Sequence, residues 1–295
     1  GALPVMEGKA ILFKHYAGID AIPIVLNTQD PDAIIETVVA IAPSFGGINL
    51  EDIAAPQCFY IEDELKKRLS IPIMHDDQHG TAVVVLAGLI NATRYVKKDL
   101  SACKVVLVGA GAAGIAIAKL LTQYAQPTIV AVDSKGVITT SRSDLTPEKQ
   151  MLAQLSKNDG STSLEQAIKG SDIFIGVSRS GLLTEAMVRT MANNPIIFAL
   201  ANPEPEILPT VAKAAGAAVV ATGRSDYPNQ VNNVLAFPGL FRGALDTHSA
   251  ITDAHKMAAA EALAALVTHP TADAIIPSPF DRHVADNVAA VFKKR

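Results

Sequence analysis

The chain has 295 residues, nearly half of them apolar and 18% charged, with a formal net charge of −4. That length holds a full hydrophobic core in one large or two medium domains, and the composition excludes a disordered chain. The slightly acidic balance offers no basic face to nucleic acid, and no apolar run is long enough to span a membrane, so neither is an expected partner. Cys58 and Cys103 are far apart and match no metal or disulfide spacing, which reads as two reduced core thiols in a cytoplasmic protein.

Lys9 to Tyr16 reads as a short helix, and Ala21 to Leu26 as a buried strand. Asp30-Pro31-Asp32 is a helix-start signal, with the helix running to about Ile41. Phe45 to Leu50 is a second strand and stops at Glu51-Asp52. Phe59 to Leu69 is an amphipathic helix. Ile71 to Met74 is a third strand and stops at Asp76-Asp77; a Gly-Thr pair and an apolar helix, Ala82 to Val96, follow. Strand, acidic turn, helix is the way an α/β protein presents charge at the carboxyl end of a strand.

Two strands separated by a helix are most simply parallel, joined by a right-handed crossover, with their carboxyl ends on one edge. Glu51-Asp52 and Asp76-Asp77 are therefore expected to face one another. Such carboxylates repel unless a cation sits between them, and oxygen-only ligands favour Mg²⁺ or Mn²⁺. The alternative is a solvated acidic rim with no ion.

After Lys97-Lys98-Asp99, Lys104 to Val108 reads as a strand. Gly109-Ala110-Gly111-Ala112-Ala113-Gly114 follows at once, and then a helix, Ile115 to Tyr124. This is G-x-G-x-x-G between a strand and a helix, the setting in which glycines let a pyrophosphate approach a helix amino end. Gly109, Gly111, Ala112, Ala113 and Gly114 are thus candidate dinucleotide contacts. The next strand, Thr128 to Val132, ends at Asp133, roughly the expected ~20 residues on, where a carboxylate bonds the ribose hydroxyls. Asp133 favours NAD, and Lys135 beside it keeps NADP possible.

The alternation continues with strands at Ile173 to Val177, Ile196 to Leu200 and Ala218 to Thr222. Helices fall around Glu148 to Leu155, Leu164 to Lys169, Glu185 to Met191 and Thr210 to Ala215. Asn202-Pro203-Glu204-Pro205 and Gly223-Arg224-Ser225-Asp226 each sit past a strand end, on the ligand edge of such a sheet. Gln230-Val231-Asn232-Asn233 is a polar patch whose amides could bond a carboxylate. From Phe241 onward the pattern is helical, with an Ala-rich run at Met257 to Leu266 and a last helix near Asp281 to Lys293. The fold class is α/β: a Rossmann-type doubly wound parallel sheet (99–245), a smaller α/β substrate and metal domain (1–98), and carboxyl-terminal helices (246–295).

Taken together, PVMEGKA (4–10), FGGINLED (45–52), IPIMHDDQHGT (71–81), VGAGAAG (108–114), ALANPEPEI (199–207) and TGRSDYPNQVNNVLAFPGLFRGALD (222–246) resemble malic enzyme in its shorter bacterial-type form. The resemblance implies oxidative decarboxylation of (S)-malate to pyruvate and CO₂ with reduction of NAD or NADP, in a homodimer whose carboxyl-terminal helices pack back on the first domain. It implies that Glu51, Asp52 and Asp77 hold Mg²⁺ or Mn²⁺. Lys9 is implied as the general base with Asp76 beside it, and Asn202 and Asn233 as malate contacts, to which the amide patch adds Asn232. Asn202 also falls among the expected cofactor contacts.

The family's YTPG-like Tyr motif and its carboxylate-gripping Arg do not occur here. The expectation is therefore a chain lacking the family's amino-terminal segment. On that expectation an inactive nucleotide-binding fragment is the alternative. An amino-acid dehydrogenase of similar plan is a second alternative, and it would need no metal.

Overall fold

The structure is a computed structural model and describes residues 1–157 and 159–293. The first third of the chain contains α1 (Ala2–Ala17), α2 (Pro31–Ile41), β1 (Ile48–Leu50), α3 (Gln57–Arg68), β2 (Ile73–His75) and α4 (Asp76–Val96). At the start of α2, Asp30 accepts from the Asp32 N–H and Pro31 occupies the first turn, where its missing N–H costs nothing. β1 and β2 form a two-stranded parallel sheet in the register Ile48↔Ile73 and Leu50↔His75. Ile35, Val38, Ile61 and Leu65 from α2 and α3 close a small core over it.

The second region contains β3 (Lys104–Val108), α5 (Ala112–Tyr124), β4 (Thr128–Asp133), β5 (Gly136–Val137), α6 (Pro147–Leu155), α7 (Leu164–Ala167), β6 (Ile173–Gly176), α8 (Glu185–Val188), β7 (Ile196–Ala199), α9 (Pro209–Ala214) and β8 (Val219–Thr222). The sheet order is β5-β4-β3-β6-β7-β8, parallel throughout except for the short β5. The strands are buried on both faces, which explains their unbroken apolar runs. Val105, Leu107, Ile129 and Phe198 face one core, and Val106, Val130, Phe174 and Ile197 face the other. The order in which strands are added reverses between β3 and β6, the switch point at which such sheets take ligands.

α10 (Phe237–Thr247), α11 (Asp253–Ala265) and α12 (His283–Ala289) complete the chain. α4 is the hub. It is apolar nearly all round, and a helix of that kind must be buried. It packs on α5, α11 and β7. Gly88 lets it close on the sheet: a Cβ there would stand 3.0 Å from the Phe198 ring. Among the described residues no helix is long and apolar enough to cross a membrane.

Two local expectations are corrected. Ala21 to Leu26 forms no strand; Ile22, Ile24 and Val25 are exposed, because β1 and β2 pair only with each other and leave this segment without a ladder. The Asp76-Asp77 pair is not a separate turn, since α4 begins at Asp76 itself.

Gly88→Val should overfill the α4–β7 contact and cost about 1–3 kcal/mol, read as a lower urea midpoint at unchanged slope.

Candidate active site

Because β1 and β2 are parallel and end together, the residues after each meet at one edge. Asp52 adopts φ 54°, which aims its N–H at Asp77 Oδ2, 3.0 Å away. One carboxylate oxygen each from Glu51, Asp52 and Asp77 lie within 4.8 Å of one another. Asp76 and Asp77 occupy the first turn of α4, where free N–H groups and the helix dipole favour negative charge.

Lys9 reaches this edge from α1. Its ammonium donates to Asp76 Oδ2 and stands 3.1 Å from Glu51 Oε1, with the Phe237 ring centroid 4.3 Å away. Burial lowers the Lys9 pKa, but the Asp76 and Glu51 charges outweigh it and hold it above the ordinary lysine value. Burial raises the carboxyls of Asp76, which is fully enclosed, and of Glu51. Asp76 can lie against its own helix only because residue 80 is glycine. A Cβ on Gly80 would stand 1.9 Å from Asp76 Oδ1, with the Asn233 Cβ 3.1 Å away on the other side.

Among the described residues, buried side-chain polar atoms without a hydrogen-bond partner gather here: Asn49 Oδ1, His75 Nδ1 and Asp76 Oδ1, while His75 Nε2 meets only Asp77. Buried polar atoms are ordinarily satisfied, so their concentration at a carboxylate cluster marks a place where a polar ligand completes the structure. The hard oxygen donors of Glu51, Asp52 and Asp77 fit Mg²⁺ or Mn²⁺. His75 Nε2 lies 3.2 Å from Asp77 Oδ2, backing that carboxylate from the protein side. A cavity of about 510 Å³ opens beside Lys9, Asn49, Glu51 and Asp52, a volume suited to a small ligand.

The glycine turn lies at the switch point. Gly109 has φ 119°, and a Cβ there would stand 2.7 Å from the Val177 carbonyl oxygen. A Cβ on Gly114 would stand 1.9 Å from the Gly109 carbonyl oxygen, whereas at Gly111 it would meet nothing. The first and third glycines are thus required by packing, and the second leaves open space above Ala112 and Ala113 at the start of α5, which fits a pyrophosphate.

Asp133 ends β4, but Arg142 and Lys149 grip its carboxylate at 2.8 Å, and Arg142 also spans to Asp144. The tightly held carboxyl is lowered to about 2: burial pushes it up, and these partners more than reverse that. Lys135 pairs with Asp144, and only its backbone N–H reaches Asp133. Arg142 and Lys149 were not found by sequence reasoning, since each lies in a segment with no motif of its own.

Asn202 is exposed after β7, with its amide close over Gly223. Buried Glu206 holds this loop, accepting from the Ser178 and Ala201 N–H groups at 3.1 Å each. Asn232 spends its Oδ1 on the Val234 N–H, capping a short turn ahead of α10. Gly80, His75, Phe237 and Glu206 also escaped the sequence reading, because none is distinctive until the fold brings it to the site.

Two family models match the chain: "Malic enzyme, N-terminal domain" over residues 1–66 and "Malic enzyme, NAD binding domain" over residues 78–293. The chain belongs to the malic enzyme family. It is 57% identical to the bifunctional malic/malolactic enzyme of Bacillus subtilis (strain 168), across 99% of this chain and 73% of that protein. It is 54% identical to the NAD-dependent malic enzyme of Geobacillus stearothermophilus, across 97% of this chain and 61% of that one. The crystal structure of the NAD-dependent malic enzyme of Thermotoga maritima superposes with a TM-score of 0.96 at 48% identity, covering 99% of this chain and 78% of that one.

These findings overturn the expectation that the family's amino-terminal segment is lacking. The family's N-terminal domain is matched from residue 1, and it includes Lys9, Glu51 and Asp52. Two short motifs weighed more in that expectation than the domain match carried by residues 1–66.

Asp77→Asn, which keeps the shape and removes the charge, should weaken Mn²⁺ binding by at least about tenfold, since even partners behind the ligands are worth that much. Paramagnetic resonance of free Mn²⁺ in a direct titration reads it.

Proposed function

We propose that this chain catalyses the oxidative decarboxylation of (S)-malate to pyruvate and CO₂ with reduction of NAD(P)⁺. The observation that carries the reading is the meeting of Lys9 with Glu51, Asp52, Asp76 and Asp77 at one strand edge, in a member of this family. Glu51, Asp52 and Asp77 are the residues to hold Mg²⁺ or Mn²⁺. When bound, the ion would supply Lewis acidity to the substrate's oxygens and the dinucleotide the hydride acceptor.

Lys9 takes the proton of the C2 hydroxyl. For that its Nζ must present a lone pair, and Asp76 Oδ2 is the hydrogen-bond partner able to receive the ammonium proton. In the metal-free site the Asp76 and Glu51 charges keep that proton on Lys9; a divalent cation on Glu51 would offset their pull and favour its release toward Asp76. Loss of the C2 hydride leaves oxaloacetate, a β-keto acid. It releases its C4 carboxylate as CO₂, and C3 gains a proton to give pyruvate. Phe237 packs over Lys9 and keeps water from its free face.

Gly109, Gly111, Ala112, Ala113 and Gly114 receive the pyrophosphate, and Asp133 the ribose. Asn202, Asn232 and Asn233 bind malate, Asn202 from the dinucleotide side. Residues 1–98 serve substrate and metal, 99–245 the dinucleotide, and 246–295 brace the first part. The working unit is a homodimer in the cytoplasm, by the prevalence of two-fold assemblies among soluble enzymes.

Malate, NAD(P)⁺ and Mn²⁺ should give NAD(P)H and pyruvate in equal amounts, with loss of both on chelation. Lys9→Ala should lower kcat by about 10²- to 10⁴-fold without changing NADH binding. Turnover that survives chelation would point to a dehydrogenase of another kind.

A further inference from the structure

The Asp76-Asp77 pair is placed by a junction that the three-residue pairing of β1 and β2 alone can hold only loosely. Behind that junction, away from the cavity, lies a second set of charged groups with no part in the chemistry described above. Its centre is Glu62 on α3, 3% exposed. Glu62 Oε1 accepts from the His75 backbone N–H at 3.0 Å and stands 2.8 Å from Lys66 Nζ. Its Oε2 accepts from His79 Nε2 at 2.8 Å and from Gln78 Nε2 at 3.4 Å. One carboxylate therefore grips residues 75, 78 and 79, on both sides of Asp76 and Asp77.

The set continues into the carboxyl-terminal helices. Lys256 on α11, 5% exposed, donates to His79 Nδ1 at 3.0 Å and to Asp253 Oδ1 at 2.9 Å. Gln123 of α5 donates to Asp253 Oδ2 at 3.0 Å. An ammonium can only donate, so Nδ1 of His79 is the acceptor and Nε2 carries the hydrogen given to Glu62. Lys66 and Lys256 balance Glu62 and Asp253, so the set is neutral overall, with Glu62 and Lys256 buried and Lys66 and Asp253 at the surface. Lys66 pairs within α3, and the other contacts join α3, α4, α11 and α5.

We propose that Glu62, His79 and Lys256 form a positioning clamp that sets the β2–α4 junction, and through it the placement of Asp77 for metal binding. The inference rests on the metal reading given above. None of the three touches the metal ligands through its side chain. They act by fixing the backbone that carries Asp76 and Asp77, as partners behind metal ligands commonly do. The clamp also makes the metal site depend on the docking of α11, some 180 residues further along the chain.

The test is direct titration with Mn²⁺, with NADH binding by fluorescence as a check on the fold. In Glu62→Gln the donors on one side, either the His75 N–H with Lys66 or His79 Nε2 with Gln78, meet an amide NH₂ instead of an acceptor. His79→Leu removes both ring contacts, while the amide of His79→Gln can still accept from Lys256 and donate to Glu62. Glu62→Gln and His79→Leu should weaken Mn²⁺ binding by about ten- to hundredfold with NADH binding unchanged, and His79→Gln should stay within about threefold of the parent. If Glu62→Gln does not fold, the two His79 variants decide. Parent-like Mn²⁺ affinity in His79→Leu, or equal loss in His79→Leu and His79→Gln, would overturn the clamp. A parent chain that bound no Mn²⁺ would overturn the metal reading and the clamp with it.

Discussion

Carboxylates brought together at the ends of two parallel strands must be neutralised, and the rest of this site follows from how that is done. Two like charges about 4–5 Å apart repel by roughly 3–4 kcal/mol at an effective dielectric near 20. Lys9 alone meets Asp76 and Glu51, leaving Asp52 and Asp77 to share an N–H contact and the buried His75 ring. The single lysine cannot balance four acids. The remaining negative charge, with the unpartnered Asn49 Oδ1, His75 Nδ1 and Asp76 Oδ1 around it, is what makes the edge a receptor for a divalent cation and an anionic substrate beside it.

Each part of the fold contributes one constraint to that edge. Parallel pairing of β1 and β2 puts the two acidic pairs side by side. α4 starts at Asp76, so its first-turn dipole favours the charges while its apolar body ties them to the main core. Gly80 makes room for Asp76 and lets the Asn233 side chain approach. α4 also lies on α5, whose amino end carries the glycine turn, so one helix sets the distance between the metal edge and the dinucleotide crevice.

Much of this was legible in the sequence, for physical reasons. Strands buried on both faces are unbroken apolar runs, so β3, β4, β6, β7 and β8 could be placed within a residue or two. The glycine turn has sterically required positions, and the acidic pairs follow strand ends. What was not legible depends on contacts distant in sequence. Arg142 and Lys149 on Asp133, Glu206 under the Asn202 loop, and Lys256 against His79 look like ordinary surface residues until the chain folds. Ala21 to Leu26 failed in the other direction: its apolar run has strand character, but a strand needs a partner with matching register, and here none is supplied. The missing-segment expectation failed because two short motifs were weighed above the domain that surrounds Lys9.

The most direct measurement is anomalous scattering from crystals of this chain grown with Mn²⁺. The account predicts one strong peak about 2.0–2.3 Å from oxygens of Glu51, Asp52 and Asp77, with Lys9 beside it on Asp76. A peak elsewhere, or Lys9 between those carboxylates with no peak at saturating Mn²⁺, would contradict it.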